Sequence, residues 1–113
     1  MDGIPLLLET SPTIEQINLE FAAIESLDPL LPLLSKFSQL KDLKLFANRL
    51  ETLPADLSEL VYLESLDISN NLIEDVDSIL PSLATLPNLM HLSISLQTEN
   101  DEENIIKYLP NLV

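Results

Sequence analysis

His91, Ser65, Ser93 and Asp67 are the residues whose types could do chemistry: an imidazole, two hydroxyls and a carboxylate are the parts of an acyl-transfer site. Neither a strained nucleophile turn nor a set of oxyanion donors accompanies them, so the sequence does not assemble them into one. The single glycine, Gly3, excludes a glycine-rich phosphate loop. The absence of cysteine excludes disulfides, thiolate metal sites and a cysteine nucleophile. Two acidic runs, Glu74-Asp75-x-Asp77 and Glu99-x-Asp101-Glu102-Glu103, invite a calcium reading. They lack the alternating oxygen ligands, glycine and distal glutamate of such a loop. A solvated loop or a helix N-terminus, where carboxylates complement the dipole, accounts for them better. The expectation is a non-enzyme with no catalytic residue, no metal and no cofactor.

The elements that must position these side chains are written in a repeating frame, Leu-x-x-Leu-x-Leu-x-x-Asn-x-Leu. Leu40, Leu43, Leu45, Asn48 and Leu50 form one complete copy; Leu63, Leu66, Ile68, Asn71 and Ile73 form the second. Ile14, Ile17, Leu19, Ala22 and Ile24 form an earlier copy with alanine in the asparagine slot. Leu89, Leu92 and Ile94 open a later one with Gln97 there. The frames start at 14, 40, 63 and 89, and another begins at Leu112, so the spacing runs 26, 23, 26, 23. In each copy two apolar residues flank a polar one: Ile17-Asn18-Leu19, Leu43-Lys44-Leu45, Leu66-Asp67-Ile68 and Leu92-Ser93-Ile94. That period of two marks a short half-buried strand. Stacked in parallel, such strands bury the aliphatic column and turn the polar slots outward, and each repeat leans only on its neighbours.

The asparagine side chain holds both a donor and an acceptor. Asn48 and Asn71 are therefore expected to form a ladder that pairs buried turn backbones from repeat to repeat. Ala22 cannot join it, and Gln97 predicts an irregular loop near 96–103. Asp28-Pro29 predicts a helix start, with Leu30, Leu34 and Phe37 on one face. Asp77 or Ser78 is expected to cap a second helix carrying Ile79, Leu80, Leu83 and Leu86. The shorter return segment 53–60 predicts a single turn or a 3₁₀ piece. Glu102 to Tyr108 predicts a last helix with Ile105, Ile106 and Leu109 inward.

A repeat of this period with these apolar slots resembles the leucine-rich repeat family. The resemblance covers about residues 14–112. It implies an α/β fold, a right-handed solenoid of about four repeats in one domain over 1–113. Short parallel strands would line the concave face, with helices and 3₁₀ turns on the convex one. Residues 1–13, with Ile4, Leu6, Leu7 and Leu8, are the expected N-terminal cover. Residues 101–113, through Leu109-Pro110-Asn111-Leu112, resemble part of the C-terminal cap of the family's intracellular members. There a further strand follows, where this sequence stops at Val113. The expectation is a truncated chain, or else an edge that a partner or a second copy covers; such an edge would allow a homodimer or stacking of further repeats. The repeat type is similar to phosphatase regulatory subunits, axonemal dynein light chains and acidic nuclear phosphoproteins; the long acidic tail of the last is not among these 113 residues, which counts against that kind only for a complete chain. The resemblance implies a noncatalytic adaptor, cytoplasmic, with nuclear and axonemal settings open.

Composition bounds the partner. With 46% apolar and only 4% aromatic residues, the core must be aliphatic. Leu6–Leu8 is too short for a signal peptide or membrane span, which reads as a soluble intracellular chain. A formal charge of −14 would repel nucleic-acid phosphates and anionic membranes. It suits a basic protein partner, or simply confers solubility. Lys36, Lys41, Lys44 and Arg49 concentrate in one repeat. They either fix a partner's register or pair internally with Asp42, Glu20 and Asp67.

On a fold of this type the outward strand slots are the expected binding surface. They hold Asp42, Ser65 and His91 in one row, and Asn18, Lys44, Asp67 and Ser93 in the next. Glu20, Phe46 and Ser69 follow, with Phe21 beside the turn. Phe46 stands out, since exposed aromatics anchor interfaces at about 2 kcal/mol or more. Phe21 would either extend that patch or tuck toward the turn. The alternative role for Phe46 is stacking on Lys44 or Phe21.

Overall fold

Four three-residue strands carry the fold: β1 (Gln16–Asn18), β2 (Asp42–Lys44), β3 (Ser65–Asp67) and β4 (His91–Ser93). The computed structural model describes residues 13–95, 100–109 and 112. The strands form one parallel sheet in chain order, with successive spacings of 26, 23 and 26 residues. Their register aligns Ile17, Leu43, Leu66 and Leu92 in a single row. The first three are buried, as are Leu45 and Ile68 two positions further along β2 and β3. The core is overwhelmingly leucine and isoleucine, and each fully buried one contributes about 2 kcal/mol. Strand entry is stitched by shared carbonyls. Glu15 O accepts from both Lys41 N and Asp42 N, Lys41 O from Glu64 N and Ser65 N, and Glu64 O from Met90 N and His91 N.

The asparagine ladder forms. Asn48 Oδ1 accepts from Ala22 N and Ile24 N, each at 3.0 Å, and its Nδ2 donates to Leu19 O and Leu45 O, each at 2.9 Å. Asn71 Oδ1 accepts from Leu50 N at 3.0 Å, while its Nδ2 reaches Leu45 O, Ile68 O and Ser69 O. Entry of the asparagine into the core needs a sharp bend just before it. Phe21, Ala47 and Asn70 all adopt positive φ at that slot, at 56°, 58° and 54°. Ala23 adds a second such residue, at 56°, in the repeat that lacks asparagine. Asparagine tolerates the left-handed region; phenylalanine and alanine are held there at a cost of about 1 kcal/mol each.

The return segments differ from the sequence-based expectation in their starts. Helix α1 (Leu31–Leu34) has no side-chain cap. Asp28 does not serve as one: its amide donates to Ser26 Oγ, and its carboxylate accepts from that hydroxyl at 2.9 Å. The turn before α1 instead begins on Leu27 O, which takes Leu30 N and Leu31 N. Asp77 and Ser78 lie inside a 3₁₀ turn, Val76–Ser78, and the capping carboxylate is Asp75, which accepts from Asp77 N. Helix α2 (Leu80–Leu83) follows without a side-chain cap. Ile79, Leu80, Leu83 and Leu86 are buried there.

Residues 53–60 form turns, with no helical piece. The Leu57 amide is taken by Thr85 Oγ1 of the next repeat at 2.7 Å, so it does not join a helical ladder over this segment. Within this segment the hydroxyl and amide of Ser58 hydrogen-bond the Asp56 carboxylate and hold its pKa below the usual range.

Helix α3 (Asn100–Tyr108) starts inside the stretch expected to be an irregular loop, and residues 96–99 of that stretch lie outside the described residues. Ile105 and Leu109, one turn apart, are buried. Ile106 was expected inward but is 63% exposed, because the adjacent helical position points about 100° away. Leu112 packs partly against the core. Residues 1–12 of the expected N-terminal cover over 1–13 also lie outside the described residues, as do 110, 111 and 113 of the expected cap.

Candidate functional site

The outward face of the sheet is where parallel register gathers the polar slots. Asp42 lies between Gln16 and Ser65, with His91 beyond Ser65; Lys44 lies between Asn18 and Asp67, with Ser93 beyond Asp67. Asn18, His91 and Ser93 are exposed, and the β2 and β3 positions are half-buried. Two side chains are occupied in local turns. Asn18 Oδ1 accepts from Glu20 N at 3.0 Å; Asp67 Oδ1 accepts from Ser69 N at 3.0 Å and from Ser69 Oγ at 2.6 Å. Asp67 is thus held by Ser69, and no hydrogen bond links His91 to Asp67, Ser65 or Ser93 among the described residues.

Beyond the strand ends, two aromatic rings meet. Phe21 and Phe46 lie edge to face, with centroids 5.6 Å apart and planes at 79°. The backbone fixes the pair: Phe21 N donates to Phe46 O at 3.1 Å, and the positive φ of Phe21 turns its side chain outward. Phe46 is half-buried while Phe21 is 74% exposed. An edge-to-face pair is worth about 1 kcal/mol beyond burial, and here it leaves one ring almost wholly in water. Phe21 therefore extends the patch, and Phe46 also has the stacking partner that the sequence allowed.

The basic cluster pairs differently from expectation. Lys41 Nζ lies 3.7 Å from Glu15 Oε1, and Arg49 Nη1 lies 4.0 Å from Glu25 Oε1. Neither Asp42, Glu20 nor Asp67 joins an ion pair with Lys44 among the described residues. Parallel register explains Lys41: it sits beside the residue at the same slot of the neighbouring repeat, Glu15, and not across from Asp42.

One surface escapes the strand frame. At the edge where the chain enters the strands, Tyr62 is 58% exposed, beside Val61 and Met90, which are also exposed. Tyr62 occupies the position before the first leucine of its frame, where the other repeats carry Thr13, Gln39 and Asn88. An aromatic residue among polar equivalents is the signal that marks it in the sequence.

Stacked parallel strands, a leucine frame and a buried asparagine ladder define a repeat protein whose turns are tied from one unit to the next. No protein-family model matches the chain. It is similar to a zebrafish (Danio rerio) protein, leucine-rich repeat and WD repeat-containing protein 1, with 39% identity over 117 aligned positions covering 95% of this chain. The chain spans 15% of that relative's length. That relative's name includes leucine-rich repeats, consistent with the leucine frame and stacked parallel strands of this chain. No helix among the described residues is long and apolar enough to cross a membrane.

Proposed function

We propose that this chain is a noncatalytic protein-interaction module, a right-handed solenoid segment that grips a protein segment on its inner, strand-lined face. The single observation carrying this reading is the Phe21–Phe46 pair, because a phenylalanine left 74% exposed beside a polar sheet has the makings of an interface anchor. Around it Lys44, Asp42 and Asp67 supply charges of both signs at fixed spacing, suited to setting register rather than adding affinity. Asp67 is engaged by Ser69, and among the described residues no carboxylate orients His91, which supports a binding rather than a hydrolytic role. The leucine-rich repeats in the relative's name support the reading of this chain as a repeat-type interaction module.

The test is affinity capture from cell extract with wild type, Phe21→Ala and Phe46→Ala in parallel, after circular dichroism shows equal folding. A partner held by wild type and weakened about thirtyfold by either variant is the expected outcome, the scale of one interface hot spot. Equal retention by all three proteins would remove the function from this face.

A further inference from the structure

Tyr62 separates two clefts on the strand-entry edge. One, of about 470 Å³, lies between Tyr62 and Lys41 on one side and Glu64, Pro87 and Met90 on the other. The second, of about 410 Å³, lies across the ring, between Tyr62, Lys41 and Glu15. Both exceed the lower size of ordinary ligand pockets, about 300 Å³. They are open, so their natural occupant is an extended chain crossing the ring rather than an enclosed small molecule.

The charges indicate the sign of that occupant. Lys41 is the cation shared by both clefts, and it is already paired with Glu15 at 3.7 Å. The half-buried Glu64 carboxylate has no ion pair among the described residues, and its own carbonyl is committed to Met90 N and His91 N. A chain of net charge −14 would repel an acidic segment here. A guanidinium or ammonium group finds an exposed aromatic face, the Glu64 carboxylate and the apolar edge of Met90 and Pro87 for its methylene stem.

We propose that this edge docks an extended segment of a basic protein, with one arginine or lysine lying on the Tyr62 ring and its charge directed at Glu64. The proposal rests on the interaction-module reading only for the partner being a protein, and Phe46 plays no part in it.

The experiment is a ¹H–¹⁵N titration of the full chain with a short peptide of alternating glycine and arginine. The same peptide with neutral citrulline in place of arginine is the control. The expected shifts centre on the amides of Lys41, Tyr62, Glu64 and Met90, with no binding of the citrulline peptide. Tyr62→Ala weakens binding about tenfold, Tyr62→Phe retains it, and Glu64→Gln weakens it about fivefold. The spectrum of each variant reports its own folding. Shifts scattered over the acidic surface, equal binding by Tyr62→Ala, or equal binding of the citrulline peptide would each overturn the proposal. Binding lost in Phe46→Ala but kept in Tyr62→Ala would also overturn it while leaving the strand-face reading standing. Failure of that reading alone would leave Tyr62 sensitive and Phe46 not.

Discussion

The turn that carries Asn48 and the turn that carries Ala22 both bend through positive φ just before that slot, at Ala47 and Phe21, and have opposite chemistry. Asn48 is 5% exposed and makes four hydrogen bonds, three of them to the repeat before it. Ala22 makes none with its side chain, yet its own amide is satisfied because Asn48 reaches back to it. The comparison shows that the asparagine in this frame chiefly serves its predecessor. A repeat can lose its own asparagine and keep an ordered turn, provided the next repeat keeps one. Farther along, Asn70 N is served by Ser95 Oγ at 2.9 Å, where the equivalent amides of Phe21 and Ala47 go to the backbone carbonyls of Phe46 and Ser69.

The largest break in this pattern is Asn48→Ala. It strands Ala22 N, Ile24 N and Leu19 O in a buried turn, and we expect a loss of about 3 kcal/mol in urea unfolding. Asn71→Ala should cost less, about 2 kcal/mol, because Asn71 is only half-buried and water can replace part of its bonding. Equal losses for the two would contradict the idea that burial sets the ladder's strength. Ala47→Gly acts in the other direction. Relief at φ 58° outweighs the added freedom of the unfolded chain, and a gain of about 0.5 kcal/mol in thermal unfolding is expected. The smallest effect belongs to Asp56. Its folded pKa is depressed by Ser58, so its contribution is present above the unfolded pKa and is lost as pH falls through the folded value. Ser58→Ala should reduce that slight acid sensitivity, since the hydroxyl bond is lost while the amide of residue 58 still donates to Asp56, read as the difference between the two proteins' acid-unfolding midpoints.

The sheet was legible because its determinants are local. Period-two alternation around Leu43 and Leu66 and the two asparagines specify strand, core face and turn at once. The helix starts were not legible, because Asp28, Asp77 and Ser78 have the composition of caps but are drawn into shorter turns. There Ser26 or Asp75 offers a nearer partner. Ile106 was misplaced because an isoleucine pair in a helix cannot both face one way, and the tie was broken by Leu109 packing with Ile105. The ion pair of Lys41 with Glu15 follows a shared slot of neighbouring repeats, and not the outward strand face on which Asp42, Glu20 and Asp67 lie. The Phe21–Phe46 patch was visible as two aromatics one repeat apart. Tyr62 lies outside the alternating strand frame, and its only sequence mark is an aromatic where Thr13, Gln39 and Asn88 stand in the other repeats.

The backward reach of the asparagines has a consequence in time. Protein synthesis delivers the chain from its N-terminus, at about 5–20 residues per second. Ala22 leaves the ribosome 26 residues before the side chain that completes it, and Leu19 leaves 29 before. During that interval of a few seconds the first turn is an unfinished structure with open amides and carbonyls. Each repeat is closed by its successor, so order in this molecule arrives one unit late, travelling behind the growing end.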